Sequence, residues 1–319
     1  MAVTQQTANE IFEKHPTRFK KKEKEALRAT LRTKLNQIGY SDSEITEGKA
    51  YGDGTNLVVG DPHAEYIFTA HYDTPGKTGW MLGTSKWLGQ TGANIFMILA
   101  ILIFFPLITG KLFELAENID LSFIDLSFWV VELSGLLILL LMFGSMVIKN
   151  KNNRNDNTSG VLSLLALAEK VAADDELRGK CCFVFFDNEE WGLLGSSEFA
   201  SQCKKKGIDL KQSKVINFDC VGYGDVLTFA STRSTPIAKS VTAAFKEAGQ
   251  KPVYKRSMMI FMSDHASFKN SVMISYTKRS LIRLLYIPLI HTSKDVECDI
   301  DQINRLTDDF YTFAKQGKI

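Results

Sequence analysis

Five short apolar runs punctuate the chain: Tyr66-Ile-Phe-Thr-Ala70, Cys181 to Phe186, Val215 to Phe218, Val226 to Ala230 and Val272 to Tyr276. Their length and their β-branched and aromatic content are those of strands. Helical spacing fills the intervals, over Val161 to Val171, Gly195 to Lys205, Ile237 to Ala248 and Ile303 to Ala314. Strands alternating with helices predict an α/β domain, three layers deep, with a mostly parallel central sheet covered on both faces. Before it, Pro16 to Ile38 reads as a helix carrying Phe19, Leu27, Leu31 and Leu35, and its run Lys20 to Lys24 reads as a solvated face. Gly52, Gly54 and Gly60 then break up short strand-like pieces.

Two segments follow neither period. Leu88 to Gly110 carries no charge, and Leu126 to Ile148 carries only Glu132. A spanning helix needs about 20 predominantly apolar residues, and neither stretch shows a polar face. They predict an inserted two-helix transmembrane hairpin over 88–148. It divides a domain made of 1–87 and 149–319, in which 1–50 is a basic helical region. Lys86, Lys149, Lys151 and Arg154 flank the hairpin, while its connecting segment sets Lys111 against Glu114, Glu117, Asp120 and Asp125. Basic flanks stay inside, so the expectation is an integral cell-membrane protein whose folded parts are cytoplasmic. Glu132 falls near the outer end of its span.

Composition narrows the rest. The 319 residues are 45% hydrophobic and 23% charged, which excludes disordered, collagenous and disulfide-stapled classes. A mean hydropathy of -0.05 excludes a polytopic transporter. Lys and Arg number 38 against 36 acidic residues, a net +2 that argues against a nucleic-acid binder held by phosphate contacts. Cys181, Cys182, Cys203, Cys220 and Cys298 form no C-x-x-C, so neither a zinc ribbon nor a disulfide framework is expected. Free thiols point to a reducing compartment, and the N-terminus has no secretory apolar stretch.

The polar residues gather at predicted strand ends. His71-Tyr-Asp73 follows the first strand, Asp187-Asn-Glu189-Glu190 the second and Asp219 the third. Asp156 opens a helix, and His291 follows an apolar run. Parallel sheets bind ligands at the carboxyl ends of their strands. Two imidazoles with several carboxylates on one rim are what borderline divalent metals take.

In order, these residues stand as His71-Tyr-Asp73, Asp156-Asn-Thr-Ser-Gly160, Glu189-Glu190, Asp219, Ser263-Asp-His-Ala-Ser-Phe268 and His291-Thr-Ser-Lys-Asp295. That series resembles the co-catalytic dizinc exopeptidases, zinc peptidase family twenty-eight, which includes bacterial aminopeptidases, glutamate carboxypeptidases and glutaminyl cyclases. The resemblance runs from about Thr55 to the C-terminus outside the hairpin. It implies a zinc exopeptidase-like fold and two Zn2+ ions, with Asp156 bridging, Glu190 and His291 completing one site, and His71 and Asp219 the other. It implies that Glu189 is the general base toward the metal-bridging water. Asp73 would fix the tautomer of His71. His265 receives no ligand role, only structural support.

The expected activity is that of a membrane-anchored aminopeptidase acting on peptides. A glutaminyl cyclase-like acyl transferase and a catalytically inactive scaffold subunit are the alternatives, and zinc content separates the three. The departure from the family is the hairpin, which lies between His71 and Asp156 and must leave the fold beside the metal rim.

Overall fold

The computed structural model describes residues 3–79, 85–117, 136, 140, 144–256 and 261–319. Its strands are β1 (Ile45–Ala50), β2 (Gly54–Val59), β3 (Tyr66–His71), β4 (Cys181–Phe186), β5 (Lys214–Phe218), β6 (Val226–Ser231), β7 (Val253–Arg256), β8 (Ser271–Arg279) and β9 (Leu285–Tyr286). Eight form one path in the order β1-β2-β4-β3-β5-β8-β6-β7, and β9 pairs with β8. The centre, β4-β3-β5-β8, is parallel. Around it, β1 with β2, β2 with β4, and β6 with β8 are antiparallel. The expected mostly parallel sheet is therefore corrected to a mixed one. The physical reason lies in the connections: β1 and β2 are joined by a tight turn through Tyr51 to Asp53, which allows only antiparallel pairing, whereas parallel neighbours need a crossover.

Alternation along the central strands builds two cores. Phe68, Phe183, Phe185 and Phe218 point into one. Ile67, Cys182, Val184, Phe186 and Val215 point into the other. The first core is covered by the helices Lys21–Gln37, Ser159–Ala172, Pro236–Glu247 and Ile300–Lys315, through Leu27, Leu164, Phe245 and Phe310 among others. The second is covered by Leu194–Lys205, through Phe199 and Cys203. Sheet residues buried on both faces explain why these strands are continuously apolar rather than alternating. Capping sets the helix starts. Asp299 accepts from the Gln302 amide at 2.9 Å, and Thr235 caps a helix that begins with Pro236.

The basic N-terminal segment forms two helices, Gln5–Lys14 and Lys21–Gln37. Lys20, Lys21 and Lys22 are exposed as expected. Lys24 departs from the solvated-face reading, because it is buried and its Nζ lies 2.6 Å from Asp187 Oδ1.

Of the expected hairpin, a helix over Ser85–Glu117 is described; it is interrupted at Gly89 and contains Pro106. Among the described residues no helix is long and apolar enough to cross a membrane. The two-span expectation is therefore not carried by the structure and rests on the sequence. Most of the second expected span, Glu132 included, lies outside the described residues. The neck of the insertion is described. Gly76 and Lys149 form an antiparallel bridge, the Lys77 amide donates to Ile148 O at 2.8 Å, and the Asn150 amide donates to Pro75 O at 3.2 Å. Lys149 also pairs with Glu23. The chain thus leaves and re-enters the domain at one place.

Candidate metal centre

Three parallel strands bring the chemistry to one rim. His71 ends β3 in register with Phe186, the last residue of β4; Asp187 to Glu190 follow directly, and Asp219 follows the end of β5. Asp156 lies in the turn that leads into the Ser159–Ala172 helix, and its peptide bond to Asn157 is cis. Asn188, Leu193, Cys220, Leu289 and His291 all have φ between 56° and 64°. Non-glycine residues held there cost on the order of 1–3 kcal/mol each, so this rim is shaped by its surroundings rather than by local preference.

All five expected ligands and the expected base converge. Asp156 is central. Its Oδ1 stands 3.4 Å from His71 Nε2, and its Oδ2 stands 3.2 Å from His291 Nε2. Glu190 Oε2 is 3.3 Å from His291 Nε2, while Asp219 Oδ1 and Glu189 Oε2 are each 3.9 Å from His71 Nε2. Two donor sets with metal-holding spacing share Asp156: His71, Asp156 and Asp219, and Asp156, Glu190 and His291. A third joins His71, Glu189 and Glu190. Glu190 Oε1 is buried without a hydrogen-bond partner, which is costly in a closed protein and natural for a ligand. Imidazoles and carboxylates are the donors zinc takes, so the residues fit it.

A layer of support holds this cluster. Asp73 faces His71 Nδ1 at 3.3 Å, the separation of a charge contact rather than a formed hydrogen bond. Its oxygens accept instead from the Glu189 amide at 3.1 Å and the Glu190 amide at 3.2 Å. Asp295 does the same for the other loop, accepting from the Asn155 amide at 2.8 Å and the Asp156 amide at 3.0 Å. Thr78 Oγ1 lies 2.6 Å from His291 Nδ1, and the Gly79 amide donates to His291 O at 3.1 Å. A side chain at Gly79 would collide with Thr292 at 2.1 Å. Sequence reasoning assigned no role to Thr78, Gly79 or Asp295. For Thr78 and Gly79 a polar turn following H-x-D was the one visible signal, and for Asp295 its place at the end of His291-Thr-Ser-Lys-Asp295.

Arg18 was also missed. It is buried, donating from Nε to Tyr72 O at 2.8 Å and from its guanidinium to His15 O at 3.1 Å. Burial pulls its pKa down to about 10, opposed by Asp73, Asp156, Asp295 and Glu190. The His265 ring is buried with neither nitrogen hydrogen-bonded, and burial pulls its pKa down to about 4.

The cluster is electrostatically crowded. Burial, then the charges of Asp156 and its neighbour Glu189, push Glu190 well above the usual carboxylate range. Burial likewise raises Glu189, against the pull of His71. For Asp156 burial acts upward too, but His291 and His71 prevail and hold it low. Burial disfavours the His71 cation, yet Glu189, Asp156 and Asp73 outweigh it and raise its pKa well above the ordinary value. Protons shared among buried acids and imidazoles mark a place where divalent cations would relieve the same charges.

Beside the cluster lies a cavity of about 310 Å³, whose apolar lining includes Phe261, Met273, Ile287 and Ile290.

The sequence model of peptidase family M28 matches residues 148–317. The fold is similar to that of the LapA aminopeptidase of Legionella pneumophila, with TM-score 0.60 at 17% identity over 98% of this chain and 70% of that one. It is similar to glutaminyl cyclase of Porphyromonas gingivalis, with TM-score 0.60 at 14% identity over 98% of both chains. It is similar also to an Acidobacteriales bacterium glutaminyl cyclase, with TM-score 0.54 at 16% identity over 97% of this chain and 91% of that one. No curated protein sequence matches the chain.

Proposed function

The chain belongs to peptidase family M28, and from that premise we propose that it is a zinc-dependent aminopeptidase releasing N-terminal residues of peptides. The observation that carries the reading is the division of Asp156, one oxygen toward each of two imidazoles. In the proposal Asp156 would be shared between two zinc ions, with Glu190 and His291 as further ligands of one and His71 and Asp219 of the other. Zinc supplies a Lewis acid that polarises water and the scissile carbonyl. Glu189 takes the proton of the attacking water and returns it to the leaving amine, a role open to a carboxylate set among the ligands, 3.9 Å from His71. Asp73 positions both glutamates through their backbone amides. The cavity is at the small end of the usual range of about 300–1,000 Å³, which suits one terminal residue better than a length of chain.

The test is release of terminal residues from a peptide library by the zinc-restored protein, together with metal analysis. Free N-terminal residues and about two zinc per chain support the reading. Cyclised N-termini with one zinc would indicate the acyl-transfer chemistry of a glutaminyl cyclase, and no zinc with no turnover a scaffold.

We also propose that residues 88–148 anchor the enzyme in the cell membrane, with the catalytic domain cytoplasmic. The uncharged stretch Leu88 to Gly110, its lysine flanks and the exposed Phe96, Leu99, Leu102 and Ile103 support this. A cysteine placed between 114 and 120, in a variant otherwise free of cysteine, should react with an impermeant maleimide on intact cells. One at Lys205 should not. The reverse pattern inverts the orientation, and equal labelling after lysis only, at both positions, removes the anchor.

A further inference from the structure

The turn between β8 and β9 carries its apolar side chains outward. Leu281, Ile282 and Leu284 are 71%, 58% and 44% exposed. The turn itself is closed, with the Ser280 amide donating to Leu284 O at 2.7 Å and the Leu284 amide to Ser280 Oγ at 3.1 Å. Arg279 reaches across it to donate to Arg283 O at 3.3 Å. Hydrogen bonds thus hold the apolar tip out, which a loose loop would not do. The turn docks on the start of the insertion, where the Leu281 amide donates to Lys86 O at 3.0 Å. The fit is close: Gly89 has φ 70°, and a Cβ there would stand 2.5 Å from Leu284 Cβ and 3.2 Å from Leu285 O. Next to Lys86 in the chain, Trp87 is 63% exposed and Leu88 40%. Charge here has one sign. Lys86, Arg279 and Arg283 are exposed, and no Asp or Glu occurs between Asp73 and Glu114 or between Asp264 and Asp295.

Single exposed apolar residues are ordinary, whereas a contiguous set rimmed by polar residues marks a docking surface. A convex tip needs no complementary groove if its partner is a bilayer. Leucine, isoleucine and tryptophan enter at headgroup depth while arginine and lysine meet lipid phosphate. We propose that the β8–β9 turn, together with Trp87, is a second membrane contact, resting on the anionic surface of a phospholipid bilayer. The inference takes its setting from the anchored reading and goes beyond it by bringing the folded domain itself against lipid. From Leu285 the chain runs through Ile287 and Ile290, in the cavity wall, to His291. The segment that touches lipid therefore ends in the metal cluster.

The experiment uses the full-length protein in liposomes of phosphatidylcholine, with or without phosphatidylserine. Ile282→Cys carries an environment-sensitive fluorophore, with the unsubstituted chain labelled in parallel as the blank. Leu281→Cys replaces it should the first variant fail to fold. Lys239→Cys is the control. Its helix starts where Thr235 Oγ1 donates to Ser271 O, at the opposite end of β8 and roughly 25 Å from the turn. Label at 282 should be quenched by lipids brominated near the headgroup, and label at 239 should not. Arg279→Gln combined with Arg283→Gln should lose whatever quenching phosphatidylserine adds, and an undiminished gain overturns the charge recognition. No quenching at 282, or equal quenching at 239, in protein that resists alkaline carbonate extraction overturns the inference and leaves the anchor standing. Quenching at 282 in protein that carbonate removes does the reverse. Self-quenching at 282 in detergent, with none by lipid, assigns the surface to a second copy of the chain and overturns the proposal. Protein that stays apart from both kinds of liposome overturns anchor and inference together.

Discussion

Asp187 and Glu190 sit three positions apart on one loop, the first buried and the second partly so, and they have opposite surroundings. Asp187 is saturated by the protein. Its Oδ1 lies 2.6 Å from Lys24 Nζ, and its Oδ2 accepts from the Thr55 amide at 2.9 Å with the Tyr72 hydroxyl at 3.0 Å. Arg28 in turn donates to that hydroxyl at 2.8 Å. Glu190 has no lysine or arginine at hydrogen-bonding distance among the described residues. One oxygen faces the His291 imidazole and the other is buried without a hydrogen-bond partner. A carboxylate closed by the protein's own cations is structural. In the proposed function, one left open toward imidazoles is held for an ion from outside. The basic N-terminal helix supplies the first kind of neutralisation and, at the rim, leaves room for the second.

Substitutions can break that contrast. The largest effect is expected at Glu189, where Glu189→Gln should lower turnover by about 10²–10⁴-fold while zinc per chain is unchanged, because proton transfer alone is removed. Near-normal turnover would defeat the general-base role. Next comes the opposed pair. Lys24→Met leaves the Asp187 charge buried without its cation, which should cost about 3–5 kcal/mol in urea unfolding with zinc content intact. Glu190→Gln should do the converse, lowering zinc content without destabilising the chelated protein. If both variants destabilised the chelated protein equally, the two carboxylates would not differ in kind.

A third effect concerns pH. His265 is held neutral at about 4, below its ordinary value near 6.5. Between those values the unfolded chain binds a proton that the folded chain does not, so stability is fully present above about 6.5 and is lost as pH falls toward 4. At one unit per 1.36 kcal/mol, the shift bounds the loss at roughly 3 kcal/mol. His265→Leu should flatten the urea midpoint of chelated protein across that window, and an unchanged slope would assign the acid sensitivity elsewhere. The smallest effect belongs to the half-exposed pair at the neck. Lys149→Ala should cost no more than about 1 kcal/mol, and a loss the size of that at Lys24 would show that burial does not separate the two lysines.

Much of this architecture was legible along the chain. β4 runs from Cys181 to Phe186 where a doubly buried strand was expected, and His71 and Asp219 fall at strand ends because apolar runs stop where polar chemistry starts. Strand direction was not legible. Alternation records which face a side chain takes, so β6 against β8 looks the same in either sense. Nor was Lys24 distinguishable from Lys22. What buries one of them is a carboxylate brought from a remote strand end, and helical spacing alone carries no trace of it. The same limit hid Thr78, whose partner His291 is brought to it only by the fold.

The bridge between Gly76 and Lys149 has a consequence in polymer terms. With the neck hydrogen-bonded shut, residues 77–148 form a closed loop whose closure is borne by the domain rather than by the loop's own structure. Doubling the length of such a loop costs only about 0.6 kcal/mol in chain entropy. The connection between the two proposed spans can therefore change in length at little cost to the domain, while Thr78, two residues inside the neck, keeps hold of His291.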